Sequence, residues 1–310
     1  MKEQLISLAR EAGFAEVAFT SPHRITQSTP LHPQAAIMTG DTASPLPGAK
    51  CVMLMAMPYR PIRYEGNEAQ VDAYYLTSNK AHEAANLLAK RIEETLSIRA
   101  LASPPVYLKP LAVCSGLGEF GRNSLISVGA YGTRTALQAI LLDVEIEQTA
   151  YPMRAFSSLC KDCRACVNAC PTQALPGDGS LDLSRCLRAQ PEGEVFPEHL
   201  RVQLGAGILG CDICQRVCRR NESVPETSAP DDLSDALNLR ALLEGKYQPL
   251  IPFLGKNNAR RQRLTARALI AAANLGRTDL LPLVEELTGC QESDAVKEHA
   301  EWALKRLKSL

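Results

Sequence analysis

The sequence predicts three folded parts in series: an α/β domain over residues 1–150, a cysteine-rich domain over 151–221, and a linker with an α-helical cap over 222–310. Three observations predict this order. The apolar run Cys51-Val52-Met53-Leu54-Met55-Ala56-Met57 reads as a buried strand. Eight of the eleven cysteines fall between Cys160 and Cys218. Beyond them, apolar residues recur every three or four positions, the period of a helix face. With 310 residues the chain is long enough for two or three such parts, each with its own core.

The elements follow in order. Leu5, Leu8, Ala9 and Ala12 share a helix face, Gly13 stops that helix, and Ala15 to Thr20 alternates like a strand. Residues 21–50 are rich in Pro, Ser, Thr and Gly, and Pro58 closes the strand that comes next. A helix is expected over 69–97, then strands around Val106–Val113 and Ala139–Ile146 on either side of a glycine-rich stretch from Gly116 to Gly132. After the cysteines, Glu222 to Asp235 is polar and contains Pro, as a linker would. Three short helices are expected at 264–275, 280–287 and 295–307. Leu264, Ala268, Ala271 and Leu275 make one face, Val296, Ala300, Ala303 and Leu307 another, and Gly276 and Gly289 act as stops, a pattern of the HEAT-like repeat type.

Composition excludes several classes. The 34 Lys and Arg balance the 34 Asp and Glu, so the whole chain is not a basic nucleic-acid binder, although a local patch fits within the balance. Lys2, Glu3 and Arg10 interrupt the N-terminus where an export signal needs an apolar stretch of about 7–15 residues. No run approaches the roughly 18 apolar residues of a membrane span. A soluble, cytoplasmic protein with no membrane partner is expected. In a reducing compartment, clustered CxxC elements favour metal over disulfides.

Cys160-x2-Cys163-x2-Cys166-x3-Cys170-Pro171 is the bacterial ferredoxin spacing, in which three thiolates hold one cubane and the fourth reaches a second cluster. Cys211-x2-Cys214-x3-Cys218 repeats its second half, and Cys186 supplies the remaining ligand. Eight thiolates predict two [4Fe-4S] clusters in a ferredoxin-like domain. Crossover pairing assigns Cys160, Cys163, Cys166 and Cys218 to the first, and Cys170, Cys186, Cys211 and Cys214 to the second. After Pro171, residues Thr172 to Ala174 should turn so that backbone amides face the sulfurs. Arg219 stands where the first half has Pro171, and a cation there would raise the potential of its cluster. Two tetrathiolate zinc sites are the alternative, although zinc does not require the x2, x2, x3-Pro run. Cys51, Cys114 and Cys290 are isolated and read as small apolar residues.

Several segments resemble epoxyqueuosine reductases. These are Pro45 to Tyr59, Gly116-Leu117-Gly118-Glu119-Phe120-Gly121-Arg122-Asn123, Gly210-Cys211-Asp212-Ile213-Cys214-Gln215-Arg216-Val217-Cys218, and the pair Tyr75 and His82 on the long helix. The resemblance covers nearly the whole chain. It implies a nitroreductase-like, corrinoid-binding α/β domain, two [4Fe-4S] clusters, HEAT-like repeats, kinship with reductive dehalogenases, and action in queuosine tRNA modification. It also implies an electron donor such as ferredoxin or flavodoxin. Gly116, Gly118, Gly121, Asn123 and His82 become candidate cobalamin contacts. The three glycines also fit a dinucleotide fingerprint, or a plain turn between strands.

The match departs at chemically important places. Ala102 stands where the family has an acidic proton donor, Glu119 where it usually has Trp, and Arg122 where it usually has Lys. Reducing an epoxide to an alkene requires a proton for the leaving oxygen, so Glu119 or Tyr107 becomes the candidate acid, or the substrate differs. For tRNA, Lys256, Arg260, Arg261, Arg263 and Arg267 form a run free of acidic residues. The competing reading is a ferredoxin-like electron-transfer protein without a corrinoid.

Overall fold

The computed structural model describes residues 1–22, 45–148, 160–191 and 194–310. Most of the Pro- and Ser-rich segment, and the expected junction at residue 150, lie outside the described residues. Helix α1 (Lys2–Glu11) and strands β1 (Glu16–Thr20) and β2 (Cys51–Pro58) lead into short strands β3 (Ile62–Arg63) and β4 (Gln70–Val71). Helix α2 (Ala73–Leu96), strand β5 (Ala100–Ala102), helix α3 (Leu108–Cys114), hairpin strands β6 (Glu119–Phe120) and β7 (Ile126–Ser127), and strand β8 (Thr135–Leu142) follow. The main sheet has the order β1-β2-β8-β5, with each neighbouring pair antiparallel.

Strand β2 is apolar at nearly every position because both its faces are covered. Cys51, Met53 and Met55 pack with Leu5, Leu8, Leu88 and Ile92 of α1 and α2, while Val52, Leu54 and Ala56 pack with Leu111, Val113, Phe120 and Ile126 of α3 and the hairpin. Each Val, Leu, Ile, Phe or Met among them contributes about 1.5–3 kcal/mol by leaving water. The second face corrects one expectation. Val106–Val113 is not a strand, since residues 108–114 are helical. Its β-branched residues suggested extension, but Pro110 lies in the first turn, where the backbone N–H it lacks would have no helical partner. The edge strand is β5, which pairs with β8. Helix α2 likewise starts four residues later than expected, because Asp72 caps it by accepting the Tyr74 N–H (3.0 Å) and residues 70–71 pair with another strand.

Helices α4 (Ala165–Ala169) and α5 (Glu198–Arg201), strand β9 (Gly207–Leu209), helix α6 (Ile213–Arg216) and strand β10 (Thr227–Ser228) carry the chain through and past the cysteines. Six helices complete it: α7 (Asp231–Ala236), α8 (Leu239–Leu243), α9 (Ile251–Asn258), α10 (Arg261–Asn274), α11 (Leu281–Leu287) and α12 (Asp294–Leu307). The segment expected as a linker is therefore structured. β10 runs parallel to β3, and Leu233 of α7 is fully buried. The largest core joins Tyr59, Ile62, Val71 and Ala73 to Leu209, Leu233, Leu264 and Leu307, so the C-terminal helices share their interior with the segment between β2 and α2. Helix α10 is buried from Arg263 to Ala273, as expected of a helix surrounded by other elements.

His299 of α12 is fully buried. Its Nε2 accepts the Phe196 N–H (2.9 Å) while Nδ1 faces the Ala266 carbonyl (3.0 Å), which fixes the neutral tautomer. Burial holds its pKa down from 6.5 to about 4. Between those values the unfolded chain binds a proton that the folded chain does not, so stability falls as pH drops through the window. His299→Gln should remove a stability change on the order of 3 kcal/mol between pH 7 and pH 4, read from urea midpoints at each pH.

Candidate iron-sulfur centres and the cavity beside them

The two halves of the cysteine motif repeat each other's backbone. Arg164, between Cys163 and Cys166, and Asp212, between Cys211 and Cys214, have φ/ψ of −122/15 and −121/14. Cys170 and Cys218 are both extended, at −67/111 and −80/119. Each half thus enters a single helical turn and leaves it at its last cysteine. After Cys170 the chain turns at Gln173 (φ 52), and the Ala174 N–H donates to Cys170 Sγ (3.3 Å), as expected for an amide tuning a ligand sulfur.

Cys160, Cys163, Cys166 and Cys218 line one small cavity, while Cys170, Cys186, Cys211 and Cys214 line a second, larger one. Cys166 and Cys214 lie within electrostatic reach of each other, which brings the two groups together. Burial raises the Cys166 and Cys211 thiols to about 11 and pushes Cys214 higher still, with neighbouring sulfurs adding to the shift. Such sulfurs stay protonated unless a positive centre among them stabilises the thiolates. Among the described residues, no three or more His, Cys, Asp or Glu side chains converge as a single-ion site. A zinc tetrathiolate draws four sulfurs to about 2.3 Å from one point, whereas a cubane interposes iron and sulfide and keeps them apart.

The larger cavity has a volume of about 540 Å³. α3, the β6–β7 hairpin and β8 form one wall, and the second cysteine group forms the other. Tyr59 donates to Gln215 Oε1 (3.0 Å), Thr133 shares that acceptor (3.3 Å), and Asn221 donates to Thr133 (3.0 Å) and to the Gln215 carbonyl (2.8 Å). This network fixes α6 against the sheet. Lys109 also lines the cavity, its Nζ donating to the Ser124 carbonyl (2.8 Å), and burial followed by the nearby Arg188 lowers its pKa to about 8. Asn123 Nδ2 is buried at the cavity without a hydrogen-bond partner.

The sequence candidates are only partly gathered here. Asn123 and Tyr107 line the larger cavity; Tyr107 is the residue before α3, 49% exposed, rather than a strand residue. Glu119 lines neither cavity and is held by Arg220 (3.0 Å). Gly116 and Gly118 line neither: Gly116 ends the turn after α3 at φ 77, and a Cβ at Gly118 would lie 2.6 Å from Ile126 and the Ser127 carbonyl. Close packing of the hairpin accounts for both. Gly121 borders the smaller cavity. His82 is exposed on α2, 3.0 Å from Ser103 Oγ and 3.2 Å from Asn86 Nδ2, outside the cavity. Arg219 is exposed, so solvent screens the influence expected of it. Arg263 and Arg267 are buried, the latter over the Phe196 ring (3.9 Å), which leaves Lys256, Arg260 and Arg261 as the exposed cations of that run. Sequence reasoning missed Lys109, Arg188 and Gln215. The signal for Lys109 was present, a lone cation in the apolar stretch from Val106 to Val113.

Residues 159–221 match the family model of the 4Fe-4S double cluster binding domain. Over 207 residues the chain is 29% identical to the epoxyqueuosine reductase of Lactococcus garvieae, a match spanning 64% of this chain and 58% of that protein. It is 28% identical over 321 residues to that of Pseudomonas aeruginosa, across 96% and 84% of the two chains. The solved epoxyqueuosine reductase of Streptococcus thermophilus superposes with a TM-score of 0.78 at 23% identity, over 100% of this chain and 91% of that one. A solved epoxyqueuosine reductase with an epoxyqueuosine-modified tRNA stem loop gives 0.76 at 21% identity, over 99% and 90%. The chain is an epoxyqueuosine reductase-like iron-sulfur protein. The fold it shares with those enzymes extends through the sheet, the double-cluster domain and the C-terminal helices. Among the described residues, no helix is long and apolar enough to cross a membrane.

Proposed function

We propose that this chain is a corrinoid-dependent iron-sulfur reductase related in chemistry to epoxyqueuosine reductase, with clusters held by Cys160, Cys163, Cys166 and Cys218 and by Cys170, Cys186, Cys211 and Cys214. The observation that carries the reading is the cavity of about 540 Å³, whose wall is shared by the sheet domain and the second cysteine group. Its apolar lining and the unpartnered Asn123 Nδ2 suit a large ligand rich in carbonyl acceptors, as a corrinoid with its amide side chains is. Cobalamin, when bound, supplies a low-valent cobalt for the difficult reduction. The protein's own residues exclude water with Leu125, Ile126 and Leu187, orient the ligand through Asn123 and Gln215, and present Tyr107 at the rim as proton donor. The C-terminal helices, read as a HEAT-like cap, carry the exposed cations Lys256, Arg260 and Arg261.

Ala102 is the observation favouring the second reading, an electron-transfer protein without a corrinoid. Anaerobic purification with cluster reconstitution and added cobalamin separates the two. Two cubanes' worth of iron with stoichiometric cobalt and a cob(II)alamin EPR signal supports the reductase, and the same iron without retained cobalt overturns it. In the reductase, Tyr107→Phe should lower single-turnover rates about 10²–10⁴-fold, whereas Glu119→Gln, altering a carboxylate committed to Arg220, should leave them unchanged. Replacing Lys256, Arg260 and Arg261 together by Ala should weaken tRNA binding and reduce the slope of log affinity against log salt by about 2, measured by filter binding.

A further inference from the structure

The larger cavity is charged in one sense. Among the described residues lining it, Lys109 and Arg188 are the charged ones, and no carboxylate is present. Lys109 lies within electrostatic reach of Cys186 and Cys214, and its one hydrogen bond is to a neutral carbonyl, Ser124 O. Arg188 follows Cys186 by two residues, with its guanidinium 4.1 Å from the Tyr74 ring centroid and 5.5 Å from that of Tyr75. Asp72 lies within its electrostatic reach, and the Tyr75 side chain accepts a hydrogen bond from the guanidinium. Two half-buried cations lining one cavity are stabilised by further negative charge beside them. Four thiolates around an iron-sulfur cubane supply that charge.

Two cations, Arg122 and Arg220, line the smaller cavity as well. Arg220 is paired with Glu119 (3.0 Å), and Arg122 directs its guanidinium at the carbonyls of Cys160 (2.6 Å), Lys161 (2.7 Å) and Gly177. Arg219 is exposed. Reducing a cluster adds one negative charge, and a cation in the same low-dielectric wall stabilises the reduced form far more than one in solvent.

We propose that Lys109 and Arg188 are the counter-charge of the Cys170, Cys186, Cys211 and Cys214 cluster and raise its reduction potential. This rests on the two-cluster reading above. Lys109 and Arg188 are positioning residues here, acting through the cluster rather than on a substrate.

The test is a potentiometric titration followed by EPR on reconstituted protein without corrinoid, for the wild type, Lys109→Met, Lys109→Arg, Arg188→Met and Arg219→Ala. Iron content is measured on each sample, and the two signals are assigned with Cys186→Ser, which perturbs its own cluster. The wild type should show one midpoint for the cavity-facing cluster and one for the other. Lys109→Met and Arg188→Met should each lower the cavity-facing midpoint alone, Lys109→Arg should keep it, and Arg219→Ala should move neither. Unmoved midpoints in both Met variants at full iron content, or shifts shared equally by both clusters, would overturn the proposal and leave the two-cluster reading intact. Wild-type iron for fewer than two clusters would overturn that reading itself.

Discussion

Single serine replacements at Cys218 and at Cys170 should each remove one cluster, taking bound iron from about eight atoms per chain to about four. The informative variants are the doubles. Cys218 is close in sequence to Cys211 and Cys214, yet it lines the cavity of Cys160, Cys163 and Cys166. Cys170 belongs to the first run in sequence but lines the cavity of Cys186, Cys211 and Cys214. Cys160→Ser combined with Cys218→Ser should therefore retain about four irons, because both losses fall on one cluster, whereas Cys170→Ser combined with Cys218→Ser should retain almost none. Pairing by sequence order predicts the opposite for Cys160 with Cys218, a loss of both clusters. Iron assay and the EPR of the surviving cluster distinguish these outcomes.

The second large effect concerns Asp212. The Arg134 side chain is 2% exposed, and Asp212 Oδ2 accepts from its Nη1 (3.0 Å) while Oδ1 accepts from Arg216 Nε (2.8 Å). Asp212→Ala leaves the Arg134 charge buried and unpaired, a situation that costs about 3–5 kcal/mol. The same residue lies between Cys211 and Cys214 and precedes α6, so the loss should also weaken iron retention in the second cluster. Urea midpoints measure the first consequence and iron loss to a chelator the second. Adding Arg134→Met to Asp212→Ala should recover most of the stability, because removing both charges leaves none buried alone. No recovery in the double variant would mean that Asp212 acts chiefly as backbone support for the cysteine turn.

Spacing made the cysteine domain legible. The x2, x2, x3-Pro run is set by backbone geometry within the twelve residues from Cys160 to Pro171, so one sequence carries it in full. Strand β2 was legible because burial on both faces leaves an unbroken apolar run, and α10 and α12 were legible from their period. Helix α3 was misread because β-branched residues and Pro110 argue against a helix locally, while packing on the sheet decided its conformation. The cavity could not be foreseen, since it forms between segments far apart in sequence: Lys109, Arg188 and Gln215 meet only after folding. Glu119 looked catalytic beside a glycine turn until its partner, 101 positions away, was seen to be Arg220. Arg267 looked ready for phosphate until Phe196 was found beneath it.

The core that joins residues near Tyr59 and Val71 to helices ending at Leu307 has a consequence for biosynthesis. A chain emerging N-terminus first presents the sheet strands and all eight cluster cysteines well before α10 and α12 exist. At roughly 5–20 residues per second, the ribosome takes several seconds or more to supply the rest. Throughout that interval the stretch between β2 and α2 lacks the partners that bury it, and the cysteine turns stand without the helices that later pack beside them. Every residue lining the two cavities precedes Asn221, so cofactor loading has an interval in which the site's own residues are all present while the core beside them is unfinished.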